Sequence, residues 1–418
     1  MTRNRRCPDT HLKVGDPSHH RPFTAVSLPH TLTASQRRKA TLALAVGSFG
    51  IGTGEFAIMG LLPEVARDIG VTIPQAGHVI STYAIGVVVG APVLAVLTAG
   101  WRQRSLLVAL MLFFALGNFA SAMATSYGPL ALLRLFAGLP HGTYFGVAAL
   151  VAASLAAPGK RAQAVAQVML GLTVATVIGV PLAAWLGQAF GWRAAFAMVG
   201  VIGVLAAVLA WRWIPDRAPV AGASAMRELG ALARPQVWIT LGIGAIGFGG
   251  LFAVFSYVKP TLLEVTGLGE ATIPWALAVL GLGMVAGNLV GARLVDRALM
   301  PAIGGILLWS AAVLGLFTFT AHYPLLVFAN LFLVGTTVAL APALQVRLMD
   351  VAGEAQALAA ALNHSAFNFA NALGAWLGGV AISAGLGWTS TGWVGALLAL
   401  AGIPLFVLAL RPQRQMAA

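Results

Sequence analysis

LGLGMVAGNLVGARLVDR, residues 280–297, decides how this chain folds. The stretch is apolar or small until its end, where Arg293, Asp296 and Arg297 stand. IGVVVGAPVLAVLTA (85–99) lies over it at an offset of 197, with Gly86 on Gly283, Gly90 on Gly287 and Leu97 on Leu294. AAWLGQ (183–188) likewise matches GAWLGG (374–379), and Gly-Trp recurs at 191–192 and 387–388. A 418-residue chain that repeats itself at nearly half its length is built from two like halves running in the same direction.

The solvent of those halves follows from composition. Hydrophobic residues make up 59% of the chain and charged ones 9%, with a mean hydropathy of +0.87. Soluble domains carry roughly 25% charged residues. A membrane-spanning helix needs about 20 mostly apolar residues, and twelve such runs lie between residues 40 and 410. The expected fold is all-α and polytopic: twelve transmembrane helices in two pseudo-symmetric six-helix bundles, 40–213 and 236–410. A polar linker, 214–235, joins them. Residues 1–39 read as a disordered basic tail and 411–418 as a second short tail.

With an even number of spans both termini share one side. Outside the tails and the loops of that side, the only basic residues are Arg67, Arg193, Lys259 and the mid-span Arg134. Positive charge is retained on the cytoplasmic face, so both termini are expected there, in a multi-pass protein of the bacterial inner membrane. The net charge of +13 therefore reads as topological and not as a nucleic-acid surface. His11, His19, His20 and His30 read as solvated tail residues, and the single cysteine, Cys7, builds no disulfide framework or metal site within the chain.

Enzyme motifs are missing where they would need to stand. GIGAIG (242–247) matches Gly-x-Gly-x-x-Gly in letters only, because it lies inside a span with no preceding strand. The sequence has no Walker-type phosphate loop and no His-Glu-x-x-His pair. The chain reads as a non-enzyme without a cofactor or metal.

Several motifs together resemble the major facilitator superfamily. Leu294, Asp296 and Arg297 follow Gly287 as in the family's cytoplasmic turn motif, while Ala99 and Gly100 stand where the N-half copy would have Asp and Arg. RLFAGLPHGTYFG (134–146) is similar to the Arg-x-x-x-Gly motif of proton-coupled members, with Arg134 and Gly138. LTVATVIGVPLAAWLG (172–187) is similar to the antiporter motif around Gly179 and Pro181, with Ala183 where Gly is common. GEFAIMGLLPEVARDIGV (54–71), AGLPHGTYFGV (137–147), GWRAAF (191–196) and FSYVKP (255–260) resemble the arabinose-efflux-permease-like branch of drug:proton antiporters. The resemblance implies efflux of a small molecule, a sugar or a drug, by alternating access in a monomer driven by the proton gradient. It also implies gating roles for Gly90, Gly138, Gly179, Pro181, Gly287, Asp296 and Arg297. The missing acid at Ala99 implies a weakened N-half latch. Two other classes stay open: a uniporter or proton symporter for uptake, and a membrane sensor or scaffold that does not transport.

The residues themselves single out a proton site. The chain has 12 acids, and only Glu55 lies well inside a span. An acid near the bilayer centre costs about 2.5–3.5 kcal/mol on insertion scales. Burial opposes the charged form of a carboxyl and a nearby cation supports it, so such a group can load and release a proton. The competing reading is a structural carboxylate that pins its helix. Arg134 is the basic residue within a span, expected either at the cavity or snorkelling to an interface. His141 lies two helical turns along the same face, near Phe145, with proton relay and packing as its two readings. Gly138, Gly142 and Gly146 form a close-packing stripe beside it. In the family the first, fourth, seventh and tenth spans line the cavity, which would gather Glu55, Arg134 and His141 around one space. His364, Asn368 and Asn371 share a face of the eleventh span, suited to polar substrate groups or to interhelical bonds. Tyr257 and Asn330 complete the cavity candidates, against readings as core packing and interhelical glue.

Overall fold

A computed structural model describes residues 33–71, 73–216 and 224–411. The tail histidines and Cys7 lie outside these residues. Twelve helical runs are long and apolar enough to cross a membrane: α1 (Ala34–Gly60), α2 (Gln75–Leu97), α3 (Gln103–Ala122), α4 (Tyr127–Leu155), α5 (Arg161–Phe190), α6 (Trp192–Trp213), α7 (Pro235–Glu264), α8 (Ile273–Arg297), α9 (Leu299–Thr320), α10 (Pro324–Val351), α11 (Gln356–Leu386) and α12 (Ser390–Ala409). No strand occurs among the described residues.

α1 starts at Ala34, inside the expected disordered tail. A capping box explains it: Thr33 accepts from the Gln36 amide at 3.2 Å, and the Gln36 side chain accepts from the Thr33 amide at 2.8 Å. Pro92, Pro140, Pro260 and Pro404 sit inside helices, a placement membrane helices tolerate because neighbouring groups satisfy the freed carbonyls. Helix geometry changes at five places within the spans: a 3₁₀ turn at Ala57–Gly60, π turns at Ala175–Gly179, Ile243–Gly247 and Ile382–Leu386, and a second 3₁₀ turn at Thr337–Ala339. The third of these falls on GIGAIG, so that motif is a wide helical turn packed within the C-half and not a nucleotide loop.

The internal repeat appears as matched helix contacts. A Cβ at Gly86 would strike the Leu135 carbonyl and one at Gly138 the Tyr83 carbonyl, so α2 and α4 meet backbone to backbone. Gly283 and Gly335 do the same between α8 and α10. Leu44, Ile51, Phe114 and Val199 centre the packing of α1–α6, and Phe317, Leu314, Leu331 and Leu344 that of α7–α12. Large apolar residues such as Leu116, Trp185, Trp275 and Phe319 face outward, as expected where the solvent is hydrocarbon.

The two halves meet mainly through α4 with α11, α2 with α11, and α5 with α8. These contacts gather at mid-helix and toward the side that carries the linker. Gly142 and Gly146 abut Ala361 there, and Arg161 pairs with Asp350 at 2.5 Å. Part of the linker is ordered against this face. Ala225–Leu229 is a short helix capped by Ser224, it packs on α2 and α11, and its Glu228 is only 7% exposed. Composition had suggested a purely polar connector.

Candidate transport site

A narrow cleft with about 90 Å³ of room for water-sized molecules lies between the halves. Its polar wall carries Glu55, His141, Asn288, His364, Asn368 and Asn371; much of the rest is aromatic, including Phe145, Phe248 and Phe252. Five of the predicted site residues therefore share one space with Phe145.

Glu55 reaches the cleft from the last turns of α1 and forms no hydrogen bond or ion pair with described residues. Arg134 is fully buried behind it, inside the N-half. This corrects both expectations for Arg134, because it neither lines the cleft nor snorkels. Its Nη2 donates to the Gly54 carbonyl at 2.8 Å. Its guanidinium sits 4.4 Å from the centroid of the Tyr83 ring and 5.2 Å from that of Phe196. Nε and Nη1 have no hydrogen-bond partner among the described residues. Arg134 and Glu55 make no direct ion pair, but Glu55 lies within Coulombic range of the guanidinium. The aromatic faces supply part of what a counterion would.

A hydrogen-bonded chain crosses from one half to the other. Tyr83 Oη lies 3.1 Å from His141 Nδ1, and His141 Nε2 lies 3.3 Å from His364 Nδ1. Phe145 stacks on His364 at 4.2 Å between centroids, 20° from parallel. Asn368 Nδ2 donates to the His364 carbonyl at 3.0 Å, one turn back along α11. Sequence reasoning passed over Tyr83. The signal was available: Tyr83 lies three residues before Gly86, on the face that α2 turns toward Gly138 and His141.

Two cavity candidates fall elsewhere. Tyr257 donates to the Ala375 carbonyl at 2.8 Å and packs over Gly378 and Gly379, so it fastens α7 to α11. Asn330 donates to the Val313 carbonyl at 3.1 Å and is buried between α10 and α9. In both cases an intramembrane polar group finds a carbonyl within its own bundle. Asn288 bridges the halves by donating to the Ala166 carbonyl at 2.9 Å while bordering the cleft.

Among the motif residues, Gly90 meets Leu139, Gly287 meets Thr336, and Gly179 meets Thr53 and Phe49 of α1. Pro181 follows the π turn of α5. Arg297 is exposed at the end of α8 and takes no described ion-pair partner, unlike the gating contact expected of it. Asp296 is engaged: its carboxylate accepts from the Ala162 and Gln163 amides at 2.6 and 3.0 Å. It thereby caps α5 of the opposite half. At α11 the equivalent amides go to the linker. Glu228 accepts from Leu358 at 2.8 Å and from Ala357. Glu228 thus supplies at α11, from the linker, a carboxylate that Ala99 does not.

The model of the Major Facilitator Superfamily matches residues 44–302 and 241–417. The chain is 40% identical to the inner membrane transport protein YdhP of Escherichia coli K12 over 375 residues, 90% of this chain and 96% of that one. It is 36% identical to a chloramphenicol resistance protein of Streptomyces lividans over 343 residues, 79% of this chain and 86% of the relative. The solved structure of the proton:xylose symporter XylE superposes with a TM-score of 0.73 at 14% identity, covering 91% and 97% of the two chains; that likeness speaks to fold alone. Family model, curated relatives and a two-bundle fold around a central cleft agree: the chain belongs to the Major Facilitator Superfamily, and is a multi-pass membrane transporter of the secondary type and not an enzyme.

Proposed function

We propose that the protein is a proton:small-molecule antiporter that exports an uncharged, largely apolar compound from the cytoplasm across the inner membrane. The observation that carries this reading is Glu55 on the cleft wall with Arg134 fixed behind it. A carboxyl between a permanent cation and an apolar cavity changes its hold on a proton when the wetting of the cavity changes. Alternating access supplies that change, and the proton gradient supplies the energy. The basic loops support a cytoplasmic linker side, and on that reading the packed side faces the cytoplasm in this arrangement.

The lining of the cleft supports this substrate class. Phenylalanine rings dominate the lining, and its polar groups are few: one acid, two imidazoles, three amides and the hydroxyls of Thr173 and Thr176, both of which already donate within their own helix. A sugar would need a denser set of hydrogen-bonding partners. The likeness to a chloramphenicol resistance protein supports a lipophilic substrate and outward transport.

Purified protein in liposomes under an imposed pH gradient, assayed against a panel of sugars and neutral aromatic drugs, tests this. Uphill movement of an aromatic compound against proton flow, lost in Glu55→Gln with normal folding, is the expected result. Movement with the protons would make the protein a symporter. Undiminished transport by Glu55→Gln would reduce Glu55 to a structural role.

A further inference from the structure

The chain Tyr83–His141–His364 has a polarity that hydrogen-bond accounting can fix. A neutral imidazole carries one N–H and one lone pair, so a donor at one nitrogen leaves an acceptor at the other. If Tyr83 donates to His141 Nδ1, then His141 carries its proton on Nε2 and donates to His364 Nδ1. His364 must then carry its own proton on Nε2. If the chain runs the other way, Tyr83 accepts, and its own O–H has no second acceptor among the described residues. His364 Nε2 would then also be a bare lone pair. Tyr83 is 1% exposed and His141 1% exposed, so an orphaned hydroxyl there would pay its full desolvation cost. The first direction leaves a single unmatched group and the second leaves two. The Arg134 guanidinium at 4.4 Å from the Tyr83 ring centroid also favours a donating phenol, because donation shifts negative charge onto the tyrosine.

The single unmatched group of the chain is His364 Nε2, which has no partner among the described residues on a side chain only 6% exposed. His364 borders the cleft. Phe145 stacked on one face, with Phe367 edge-on at 5.9 Å, holds the ring in its plane. A buried N–H with a fixed direction and no acceptor calls for a partner, and the adjoining cleft is where a ligand's acceptor would approach it.

We propose that His364 Nε2–H is the donor that recognises substrate, that Tyr83 in the opposite half sets its tautomer through His141, and that the substrate presents a neutral acceptor oxygen such as a carbonyl. His364 touches the ligand; Tyr83 and His141 are positioning residues. The proposal rests on the cleft being the transport site, and adds which atom of the wall reads which chemical group.

The test is a histidine ¹⁵N NMR spectrum of the full chain in nanodiscs, with His364 assigned by His364→Gln. The expected wild-type signal is the Nε2–H tautomer, becoming a mixture of tautomers in Tyr83→Phe, which keeps the ring. An Nδ1–H tautomer in the wild type, or no change in Tyr83→Phe, overturns the proposal. Acetophenone and ethylbenzene serve as probes differing in one carbonyl, with affinities corrected for partition into the bilayer. Acetophenone should be preferred about tenfold, the value of one net hydrogen bond. The preference should fall close to unity in His364→Phe and return in part in His364→Gln. Equal affinities for the two probes in the wild type overturn the recognition role. None of these readouts needs a proton gradient. Failure of Glu55-dependent transport with the expected tautomer would therefore sink only the coupling, and the reverse pattern only this proposal.

Discussion

Two helix starts on the linker side face the same physical problem and meet it from different places. α5 begins at Arg161 and α11 at Gln356, and neither has a side-chain cap of its own. The first amides of each are orphans unless something accepts from them. At α5 the acceptor is Asp296, built into the last turn of α8. At α11 it is Glu228 on the short linker helix, because the corresponding turn after α2 offers only Ala99 and Gly100. What is retained is a carboxylate at a helix N-terminus, where the partial positive charge favours it, and not the residue that carries it. The difference is mechanical. One latch is an integral part of a membrane helix, while the other sits on the segment that joins the halves.

The largest effect is expected from removing the integral latch. Asp296→Ala leaves two part-buried amides between packed helices without an acceptor, where a fully buried group would cost about 1–3 kcal/mol. Hydrogen exchange at Ala162 and Gln163 should accelerate by roughly tenfold or more, with Ala357 and Leu358 little changed. Glu228→Ala should do the converse, loosening Ala357 and Leu358 and sparing α5. Its effect should be smaller, since Arg227 still ties the linker helix to Glu354. Leu358 protection unchanged in Glu228→Ala would break the equivalence of the two latches. A weaker, sharper test is Ala99→Asp placed in Glu228→Ala. Partial recovery of Leu358 protection is expected if the turn after α2 can take back the role.

The smallest expected effect concerns pH. Burial pushes the Glu228 carboxyl above the ordinary glutamate range, against the Leu358 and Ala357 amides and the charge of Arg227, which pull it down. A proton is then held more tightly in the latched arrangement than on a released linker. By linkage, the contribution of Glu228 to closure is fully present below the ordinary glutamate pKa. It is lost as pH rises through the raised value. Leu358 exchange, normalised for intrinsic rate, should show a mild loss of protection on going from acid to neutral pH, absent in Glu228→Gln.

The fold was legible because the bilayer imposes run length and scarcity of charge, both of which are visible in one dimension. Glu55, His141 and His364 were legible for the same reason: polar groups stand out in apolar helices. Facing was not legible. Lipid and protein core are equally apolar, so a membrane helix carries little sequence signal for which side turns inward. Tyr257 and Asn330 were therefore assigned to the cleft when they serve their own bundle, and Tyr83 was overlooked. Glu228 was hidden by composition. A polar stretch reads as solvated, and only packing against α2 and α11 reveals that one of its acids is buried.

Arg134, held between Tyr83 and Phe196, carries an electrical consequence. A guanidinium does not release its proton, so the N-half keeps one positive charge within the membrane throughout the cycle. On the proposed reading, ionised Glu55 makes this region neutral in sum and protonated Glu55 leaves it cationic. The two forms of the carrier then respond differently to membrane voltage, which acts with about 2.3 kcal/mol per elementary charge per 100 mV across the full field. Reorientation of the protonated form is the step through which membrane potential would set the turnover of this protein.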